Sequence, residues 1–353
     1  MTFHERKSHF AELGKFMGKF PLSSKEIPEI DSEKEEFFNR MNQKIDSAIH
    51  YNGWFTRENV IFALRQWSIA LTPDNLEKWL SRYDTIGQSE PKTVAVIMAG
   101  NIPLVGFHDF ICVLMAGHKV LIKQSGNDKQ LLPLLVEYLI FLNPEFKDLI
   151  RFTDDRMKNF DAVIATGSNN TSRYFEYYFK DKPSIIRKNR NSVAVLTGKE
   201  SKKQLQELSE DIFRYYGLGC RNVSKLYVPE NYDFDDFFKA MYNWNYIINQ
   251  AKYSNNYDYN KAVYLMSEFK LLDNGFLILK EDESFGSPIA TLFYEKYTSE
   301  EELRNKLQQE KEKLQCVVSG GFTENEVEFG KTQHPELWDY ADDVDTMDFL
   351  LKL

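Results

Sequence analysis

The 353-residue chain has few cysteines and lacks long apolar runs, and both features limit the class of protein to which it can belong. It has three cysteines, an odd number that does not form a disulfide framework, so a reducing cytoplasm is the expected setting. No apolar run approaches the roughly 20 residues that span a bilayer. Residues 1–19 mix acidic and basic side chains without the apolar centre of a secretory signal. We therefore expect a cytoplasmic protein with no membrane span.

An excess of positive charge is also absent. The formal net charge of −9 at pH 7 argues against a broad basic face for nucleic acid. The short basic run at 187–190 suits a small anionic ligand better than a duplex. The chain has six histidines. His4 and His9 miss the i, i+4 spacing of zinc-binding helices, and His108, His118 and His334 are isolated in the sequence. We expect no metal site.

Hydrophobic side chains, in contrast, make up 42% of the chain, and 14% of the residues are aromatic. This composition predicts a packed protein with two domains or one large α/β unit. Residues 1–90 have helical patterns and are expected to form a helical N-terminal region that packs on the next domain. Thr56 and Thr72 are the expected N-caps of two of its helices, the second followed by proline in the first turn.

Between residues 91 and 198, short β-rich apolar runs alternate with helical stretches. The runs lie at 93–98, 119–122, 161–165 and 192–196. This alternation predicts right-handed βαβ units and a doubly wound parallel sheet, whose ligands lie beyond the carboxyl ends of the strands. Three of those ends have the polar or glycine-rich sequence that a cofactor crevice requires: Gly100-Asn101, Lys123-Gln124-Ser125 and Thr166-Gly167-Ser168.

Residues 199–321 predict a second α/β domain, and residues 322–353 an acidic, aromatic tail that packs on another part of the molecule. The elements expected in the second domain are, in chain order, a helix at 199–216, a turn at 217–220, a strand at 223–228, a helix at 233–250, short strands and loops at 261–293, a helix at 299–314 and a strand at 315–319.

Cys220 differs from the other two cysteines in its neighbours. Cys112 and Cys316 lie in apolar runs and are expected in the core. Cys220 follows the loop-like Gly-Leu-Gly and precedes Arg221. A glycine before a cysteine lets backbone amides approach a substrate, and nearby positive charge favours the reactive thiolate. These flanks alone are equally compatible with a nucleophile and with a structural cysteine.

Other candidates each have a plain alternative. The Asn101 amide could donate to a developing oxyanion or simply cap the next helix. Gly167 and Ser168 could hold a pyrophosphate at a helix N-terminus or form an ordinary turn. Lys123 could contact a ribose or phosphate or lie on the surface. The chain contains no G-x-G-x-x-G, Walker A or G-x-S-x-G motif.

Taken in order, five short segments resemble the aldehyde dehydrogenase superfamily. They are VAVIMAGNIP, VLMAGHKVLIKQSG, DAVIATGS, YYGLGCRNVSKLYVP and ESFGSP. Within the superfamily, the chain is most similar to the LuxC-type acyl-CoA reductases, and the C-terminal FGKTQHPELWDYADDVDTMDFL strengthens that likeness. The resemblance implies an α/β, aldehyde-dehydrogenase-like fold with a doubly wound parallel-sheet NAD(P)-binding domain at 91–198 and a second α/β catalytic domain at 199–321. Whether the chain forms a homo-oligomer is left open.

The resemblance also implies roles for single residues. Cys220 would be the nucleophile, and Asn101 with the Cys220 backbone amide would form the oxyanion hole. Lys123 would contact the adenosine ribose or its phosphate, with Ser125 as a further cofactor-binding residue. The remaining cofactor contacts would be made by Gly167 and Ser168 at the pyrophosphate and by Glu283 and Phe285 at the nicotinamide ribose.

Two departures from the superfamily pattern are informative. Hydrolytic members have a general-base glutamate in a Glu-Leu-Gly-Gly-Lys segment, whereas the matching residues 185–191 contain no carboxylate. Without a base to activate water, the acyl-enzyme is preserved for another acceptor, which fits coenzyme A. The basic residues there could meet phosphates or form a solvated turn. The glutamate of Lys-Pro-Ser-Glu is replaced by Gly126, which removes repulsion against a 2′-phosphate and predicts that NADPH is accepted.

The expected activity is that of an NAD(P)-dependent oxidoreductase, an acyl-CoA reductase that forms a thioester on Cys220 and reduces it to an aldehyde. The cofactor would be NADPH or NADH, with coenzyme A as part of the substrate. Two alternatives stay open. One is a phosphorylating semialdehyde dehydrogenase, which would use acyl phosphate; the other is a catalytically inactive relative that binds cofactor or serves as a scaffold.

Overall fold

The computed structural model describes residues 1–353 except 24–25, 27, 85 and 87–89. The chain forms two compact units. Unit 1 consists of Met1–Lys188 and Glu336–Leu353, and unit 2 of Asn189–Pro335. The chain therefore passes from one unit to the other twice. Each unit contains one β-sheet.

Unit 1 begins with helices and continues as an α/β layer. Its helices and strands are, in chain order, α1 (Phe3–Met17), α2 (Glu35–Tyr51), α3 (Arg57–Ala70), α4 (Pro73–Leu80), β1 (Thr93–Ile97), α5 (Phe107–Ala116), β2 (Lys119–Lys123), α6 (Leu131–Leu142), α7 (Phe146–Leu149), β3 (Ile150–Phe152), β4 (Ala162–Thr166), α8 (Asn169–Phe179) and β5 (Ser184–Arg187). Both predicted caps are confirmed, because Thr56 and Thr72 accept from the backbone N–H groups of Asn59 and Asn75, each at 3.4 Å.

The five strands of unit 1 form the predicted doubly wound sheet. Their order is β3-β2-β1-β4-β5, and every described pairing is parallel. Two of the strands, β3 and β5, were not expected from the sequence, because each is short and carries an arginine. The N-terminal helices share one apolar core with α5 and α6, in which Phe10, Phe110 and Leu135 are fully buried.

Unit 2 contains a larger, mostly parallel sheet. Its helices and strands are β6 (Asn191–Val195), α9 (Lys202–Phe213), β7 (Val223–Pro229), α10 (Asp235–Met241), α11 (Ala251–Met266), β8 (Leu271–Asp273), β9 (Ile278–Glu281), β10 (Thr291–Tyr297), α12 (Glu300–Gln309) and β11 (Leu314–Val318). The strand order is β11-β6-β7-β10-β9-β8, and only the β8–β9 pairing is antiparallel among those described.

Two expectations for this part of the chain are wrong. The strand expected at 192–196 as part of the first sheet is β6, which pairs with β7 and β11 in the second sheet. An apolar run alone does not tell which sheet a strand joins. Residues 261–266, expected among short strands and loops, belong to α11. That helix buries tyrosine and asparagine side chains, Tyr253, Tyr257 and Asn260, so its buried face does not appear as an apolar stripe.

The C-terminal tail is shared between the units. Residues 322–335 lie in unit 2, and the remaining residues, which include α13 (Thr346–Leu351), lie in unit 1. Two largely buried histidine rings hold this last segment: the Nε2 atoms of His108 and His118 bond the carbonyls of Leu337 and Leu350 at 3.0 and 2.9 Å. Among the described helices, none has the length and hydropathy needed to cross a membrane.

Candidate active site

The segment before Cys220 has an unusual backbone. After α9 the chain makes a short 3-10 turn, Arg214–Gly217, in which Tyr215 and Tyr216 have φ angles of 54° and 59° and Gly217 has a φ of 74°. Tyrosine rarely adopts the left-handed region, so the surrounding contacts must impose this conformation. The turn leads directly to Cys220, which is exposed, whereas Cys112 and Cys316 are buried as predicted.

Asn222 fixes the shape of the Cys220 turn. Its side-chain oxygen accepts from the Gly219 N–H at 2.8 Å. Its amide nitrogen donates to the carbonyls of Asp211 and Arg214, at the end of α9, at 3.0 and 2.8 Å. Because Asn222 is only 2% exposed, these three bonds are sheltered from water. No sequence pattern distinguishes Asn222, since one asparagine after a glycine-rich turn is ordinary.

Further bonds hold both sides of the nucleophile candidate. The Ser192 hydroxyl donates to the Cys220 carbonyl at 2.9 Å. The Arg221 Nε donates to the Thr332 carbonyl at 2.5 Å, so this guanidinium, expected beside the thiolate, also holds the tail segment. Thr332 donates its N–H and hydroxyl to the Asp211 carboxylate at 2.9 and 2.8 Å. Burial raises the pKa of Asp211 to about 6, and its hydrogen bonds oppose that rise.

The loop with Glu283 and Phe285 is attached to the start of β7. The Lys225 ammonium donates to the Glu283 carbonyl at 2.7 Å, and the Ser224 hydroxyl donates to the Phe285 carbonyl at 2.7 Å. Glu283 is exposed and Phe285 is half-buried. A Cβ at Gly286 would lie 2.9 Å from Asn191 Oδ1 at the start of β6, so a larger residue there would displace the Asn191 side chain. No sequence pattern marks Ser224 or Lys225 as functional residues.

In unit 1, Asn101 is exposed in the turn that follows β1. The turn is held at both ends. Asn52, at the end of α2, donates its amide to the Gly100 carbonyl at 3.1 Å. The N–H of Leu104, whose φ is 59°, donates to the buried Asp128 carboxylate at 3.0 Å. Burial raises the pKa of Asp128 to about 6. This turn therefore has a fixed backbone below an exposed amide side chain.

Lys123 and Ser125 lie at the end of the neighbouring strand β2. The Lys123 ammonium donates to the carbonyls of Asp154 and Asp155 at 3.3 and 3.0 Å. The half-buried Ser125 accepts from the Asn127 N–H at 3.3 Å. Gly126 is exposed, and a Cβ built there meets no atom within 4 Å. The ammonium of Lys123 thus supports the loop after β3 as well as lying at the sheet edge where a cofactor is expected.

Gly167 and Ser168 form the junction between β4 and α8. Ser168 caps the helix by accepting from the Thr171 N–H at 3.3 Å. A Cβ on Gly167 would lie 3.0 Å from the Phe175 ring and 3.1 Å from Thr171, so only glycine leaves this close-packed turn undisturbed. The 11-residue helix α8 has its first amides at the surface edge of the sheet. This arrangement fits a diphosphate group, which helix N-termini attract.

One residue of the basic run at 187–190 differs from both expectations stated for that run. Arg187 is neither a phosphate ligand nor part of a solvated turn: it ends β5, is 6% exposed and forms an ion pair with buried Asp109. Its second nitrogen donates to the Thr346 hydroxyl at 2.9 Å. Lys188 pairs with Glu176 at 2.7 Å on the surface. Among the described residues, no group of three His, Cys, Asp or Glu could hold a metal ion.

Each unit therefore gathers part of the predicted set. In unit 1, Asn101 and Gly167 follow β1 and β4, and Lys123 ends the adjacent strand β2. All three therefore lie at the carboxyl ends of neighbouring parallel strands, with Ser125 and Ser168 close in sequence to Lys123 and Gly167. In unit 2, the Cys220 turn and the Glu283–Phe285 loop are joined through the first residues of β7. Each of the two clusters thus contains part of the set of site residues expected from the sequence.

Comparison with solved structures defines the class of fold. The chain is similar to aldehyde dehydrogenase 21 from Physcomitrella patens in complex with succinate, with a TM-score of 0.60, 14% identity, and 90% of this chain and 73% of that chain covered. It is similar to the indole-3-acetaldehyde dehydrogenase AldA of P. syringae in complex with NAD+ and IAA, with a TM-score of 0.60, 13% identity, and 90% and 72% covered. The chain has the aldehyde dehydrogenase fold.

The match to a protein family is more specific than the likeness in fold. The model of the family described as acyl-CoA reductase (LuxC) matches residues 19–244, and the chain belongs to that family. The chain is also 24% identical, over 228 residues, to the long-chain acyl-protein thioester reductase of Aliivibrio fischeri. That alignment covers 59% of this chain and 47% of the relative, so the chain spans about half the length of the curated relative that it matches.

Proposed function

We propose that the protein is an acyl-CoA reductase that takes an acyl group onto Cys220 as a thioester and reduces it with NADPH or NADH to an aldehyde. The observation that carries this proposal is the Cys220 turn, in which the cysteine is exposed and hydrogen bonds at the Gly219 N–H, the Cys220 carbonyl and the Arg221 side chain hold the chain around it. Membership of the acyl-CoA reductase family supports the substrate class. The name of the Aliivibrio fischeri relative adds protein-bound acyl thioesters as donors to test.

The proposed sequence begins with the Cys220 thiolate. Its sulfur attacks the thioester carbonyl carbon, a new C–S bond forms, and the coenzyme A thiolate leaves and takes up a proton. NAD(P)H, held by the cofactor-binding residues assigned below, would supply the hydride that the same carbon accepts. The thiohemiacetal oxyanion formed on Cys220 then re-forms its C=O bond and breaks its C–S bond, which releases the aldehyde and restores the thiolate. The reverse direction oxidises an aldehyde to acyl-CoA by the same steps.

We assign oxyanion stabilisation to the Asn101 side-chain amide and the Cys220 backbone N–H. The fixed turn around Asn101 supports this role, because a preorganised donor stabilises developing charge without reorganising. We assign the pyrophosphate to Gly167 and Ser168, the adenosine ribose to Lys123 and Ser125, and the nicotinamide ribose to Glu283 with Phe285 beside it. These assignments rest on the resemblance to the superfamily and on the geometry within each unit.

The absence of a carboxylate from residues 185–191 supports transfer to coenzyme A rather than hydrolysis. β5 occupies the first part of this stretch and β6 begins at its end, so no general base is supplied from these residues. The open space at Gly126 supports acceptance of a 2′-phosphate, and we propose NADPH as the cofactor that is accepted. A tighter Kd for NADH than for NADPH would contradict that preference.

Intact-protein mass spectrometry tests the proposal. The protein is incubated without cofactor with acyl-CoAs of short, medium and long chain and, separately, with an acyl thioester of a carrier protein. We expect a mass increase of one acyl group minus one proton, mapped to Cys220. Cys220→Ser should take up no thioester-linked acyl group, while Cys316→Ser, at a buried cysteine, should behave as wild type. An adduct on another residue, or none with any donor, refutes the proposal.

A further inference from the structure

Strand β7 contains a lysine that is fully buried. Lys225 has 0% of its surface exposed, and burial lowers its pKa. Removing an ammonium from water is costly unless hydrogen bonds and opposite charge replace the lost solvent. A lysine in this position therefore needs hydrogen-bond partners, and the two that it has in unit 2 indicate its role.

One partner of Lys225 is the Glu295 carboxylate on β10. The ammonium lies 2.6 Å from Glu295 Oε2. The other oxygen of the same carboxylate, Oε1, is 2.5 Å from the ammonium of Lys306. Glu295 thus has a second cation of its own, and charge balance at this carboxylate does not by itself require Lys225.

The second partner is the backbone carbonyl of Glu283. Lys225 donates to it at 2.7 Å, and the Phe285 ring lies over the same ammonium, 5.4 Å from Nζ to the ring centroid. The preceding residue, Ser224, donates to the Phe285 carbonyl at 2.7 Å. Two adjacent side chains of one strand therefore hold the backbone on both sides of Ser284.

The same loop is fixed from within. The Ser284 N–H donates to Asp282 Oδ1 at 2.8 Å, and Asp282 pairs with Lys280 at 2.5 Å. In the part of the chain that the structure describes, β7 holds Glu283 through its carbonyl, while the Glu283 side chain is exposed. Because the carbonyl is tethered, the direction in which the Glu283 side chain leaves the loop is set by Lys225 and Ser224.

We propose that Lys225, assisted by Ser224, is a positioning residue that holds the Glu283–Phe285 loop in the conformation that binds the nicotinamide ribose. This inference rests on the cofactor role proposed for Glu283. It concerns cofactor binding alone and predicts no effect on the transfer of an acyl group to Cys220.

Lys225→Met and Lys306→Met form a matched pair. Each removes one ammonium from Glu295 and leaves the other, but only Lys225→Met removes the bond to the Glu283 carbonyl. The full-length variants are titrated with NADPH and with NADH by fluorescence, and acylation of Cys220 is followed by mass spectrometry without cofactor. We expect the Kd of the tighter-binding cofactor to rise roughly tenfold in Lys225→Met and to stay within about twofold of wild type in Lys306→Met. The acylation rate should be unchanged in both.

Equal cofactor affinity in Lys225→Met and wild type overturns the inference. So does a parallel loss of cofactor binding and acylation, which is the pattern of a general structural role. If Lys225→Met does not fold, Ser224→Ala decides, since it removes one hydroxyl from the same tether: weaker cofactor binding with normal acylation supports the inference, and unchanged binding overturns it. A wild-type protein that binds cofactor but never acquires an acyl group would refute the role of Cys220 and leave this inference standing.

Discussion

The two units place buried charge in contrasting positions. In unit 1 the Asp109–Arg187 pair, together with the rings of His108 and His118, holds the C-terminal segment 336–353. In unit 2 two buried charges hold candidate functional segments. Asp211 binds Thr332, whose carbonyl holds Arg221 next to the candidate nucleophile, and Lys225 binds the loop that carries Glu283. The Asp109–Arg187 pair thus secures a chain terminus, whereas Asp211 and Lys225 shape candidate functional loops. We therefore expect loss of Arg187 to act mainly on stability, and loss of the contacts that shape the unit 2 loops to act mainly on chemistry.

The largest expected effect is on the stability of unit 1. Arg187→Met leaves Asp109 buried without its cation, which typically costs about 3–5 kcal/mol. Denaturant unfolding of the variant should show this loss. The control is Lys188→Met, whose ion pair with Glu176 is exposed and should contribute less than about 1 kcal/mol. A loss in Arg187→Met no larger than that of the control would remove the first half of the comparison.

Asp128 provides a pH-dependent test within unit 1. Its pKa is raised by burial from the ordinary value of 3.8 to about 6, so the folded state binds a proton more readily than the unfolded state. This carboxyl therefore makes stability fall as pH rises from about 4 to about 6. Asp128→Asn cannot ionise, so its stability relative to wild type should increase across that window, by up to about 3 kcal/mol.

The measurement for Asp128 is urea unfolding of both proteins at several pH values from about 4 to about 8. Asp211→Asn is the control, because Asp211 has a similar pKa but both of its oxygens accept hydrogen bonds. An asparagine side chain has one acceptor oxygen instead of two, so the hydrogen bonds from Gly330 or those from Thr332 are lost. Asp211→Asn should therefore be less stable than wild type at neutral pH. A difference between Asp128→Asn and wild type that is flat with pH would contradict the reasoning.

In unit 2, Asn222→Ala should lower the reactivity of Cys220. Loss of its three bonds frees the Cys220 turn, and we expect acylation of Cys220 and its alkylation by iodoacetamide to slow roughly tenfold in the folded protein. Asn256→Ala, which removes an exposed asparagine bond to the Lys252 carbonyl, should leave both rates unchanged. If Asn222→Ala melted earlier but reacted at the wild-type rate, the contrast between the units would be wrong.

The smallest expected effect concerns cofactor choice. Gly126→Glu introduces a carboxylate where a Cβ meets no atom within 4 Å, so the fold should tolerate it. Its charge should weaken NADPH binding several-fold relative to NADH, on the order of 1 kcal/mol. Gly126→Gln, equal in size and uncharged, separates charge from bulk. Equal losses in both variants would show that Gly126 is needed for space and not for its lack of charge.

The sequence predicted the parts of the molecule that depend on local pattern. Thr56 and Thr72 cap helices as expected, and the runs at 93–98 and 161–165 form central strands of the first sheet. The candidate segments around Cys220 and Gly167 fall on a turn and a strand-to-helix junction, as their glycines indicated. Each of these features is decided by residues close together in the chain.

The parts that the sequence did not predict depend on distant contacts. Lys225 and Glu283 are 58 positions apart, and a lysine that follows a serine in a strand gives no sign that its ammonium is buried. The sequence predicts a phosphate contact or a solvated turn at Arg187, because its partner, Asp109, is 78 positions away and cannot be recognised from the local pattern. The strand at 191–195 joined the other sheet because pairing with β7 and β11 is a tertiary choice. Buried polar side chains are where a one-dimensional pattern carries least information.

A chase experiment on the isolated acyl-enzyme tests the central claim most directly. The protein is acylated with an acyl-CoA, separated from excess donor and mixed with NADPH. We predict that one aldehyde forms per acyl group lost and one NADPH is oxidised, and that Cys220 returns to its unmodified mass. Release of the acyl group as a carboxylic acid without oxidation of NADPH, or an acyl group that NADPH and NADH leave in place, would contradict the account.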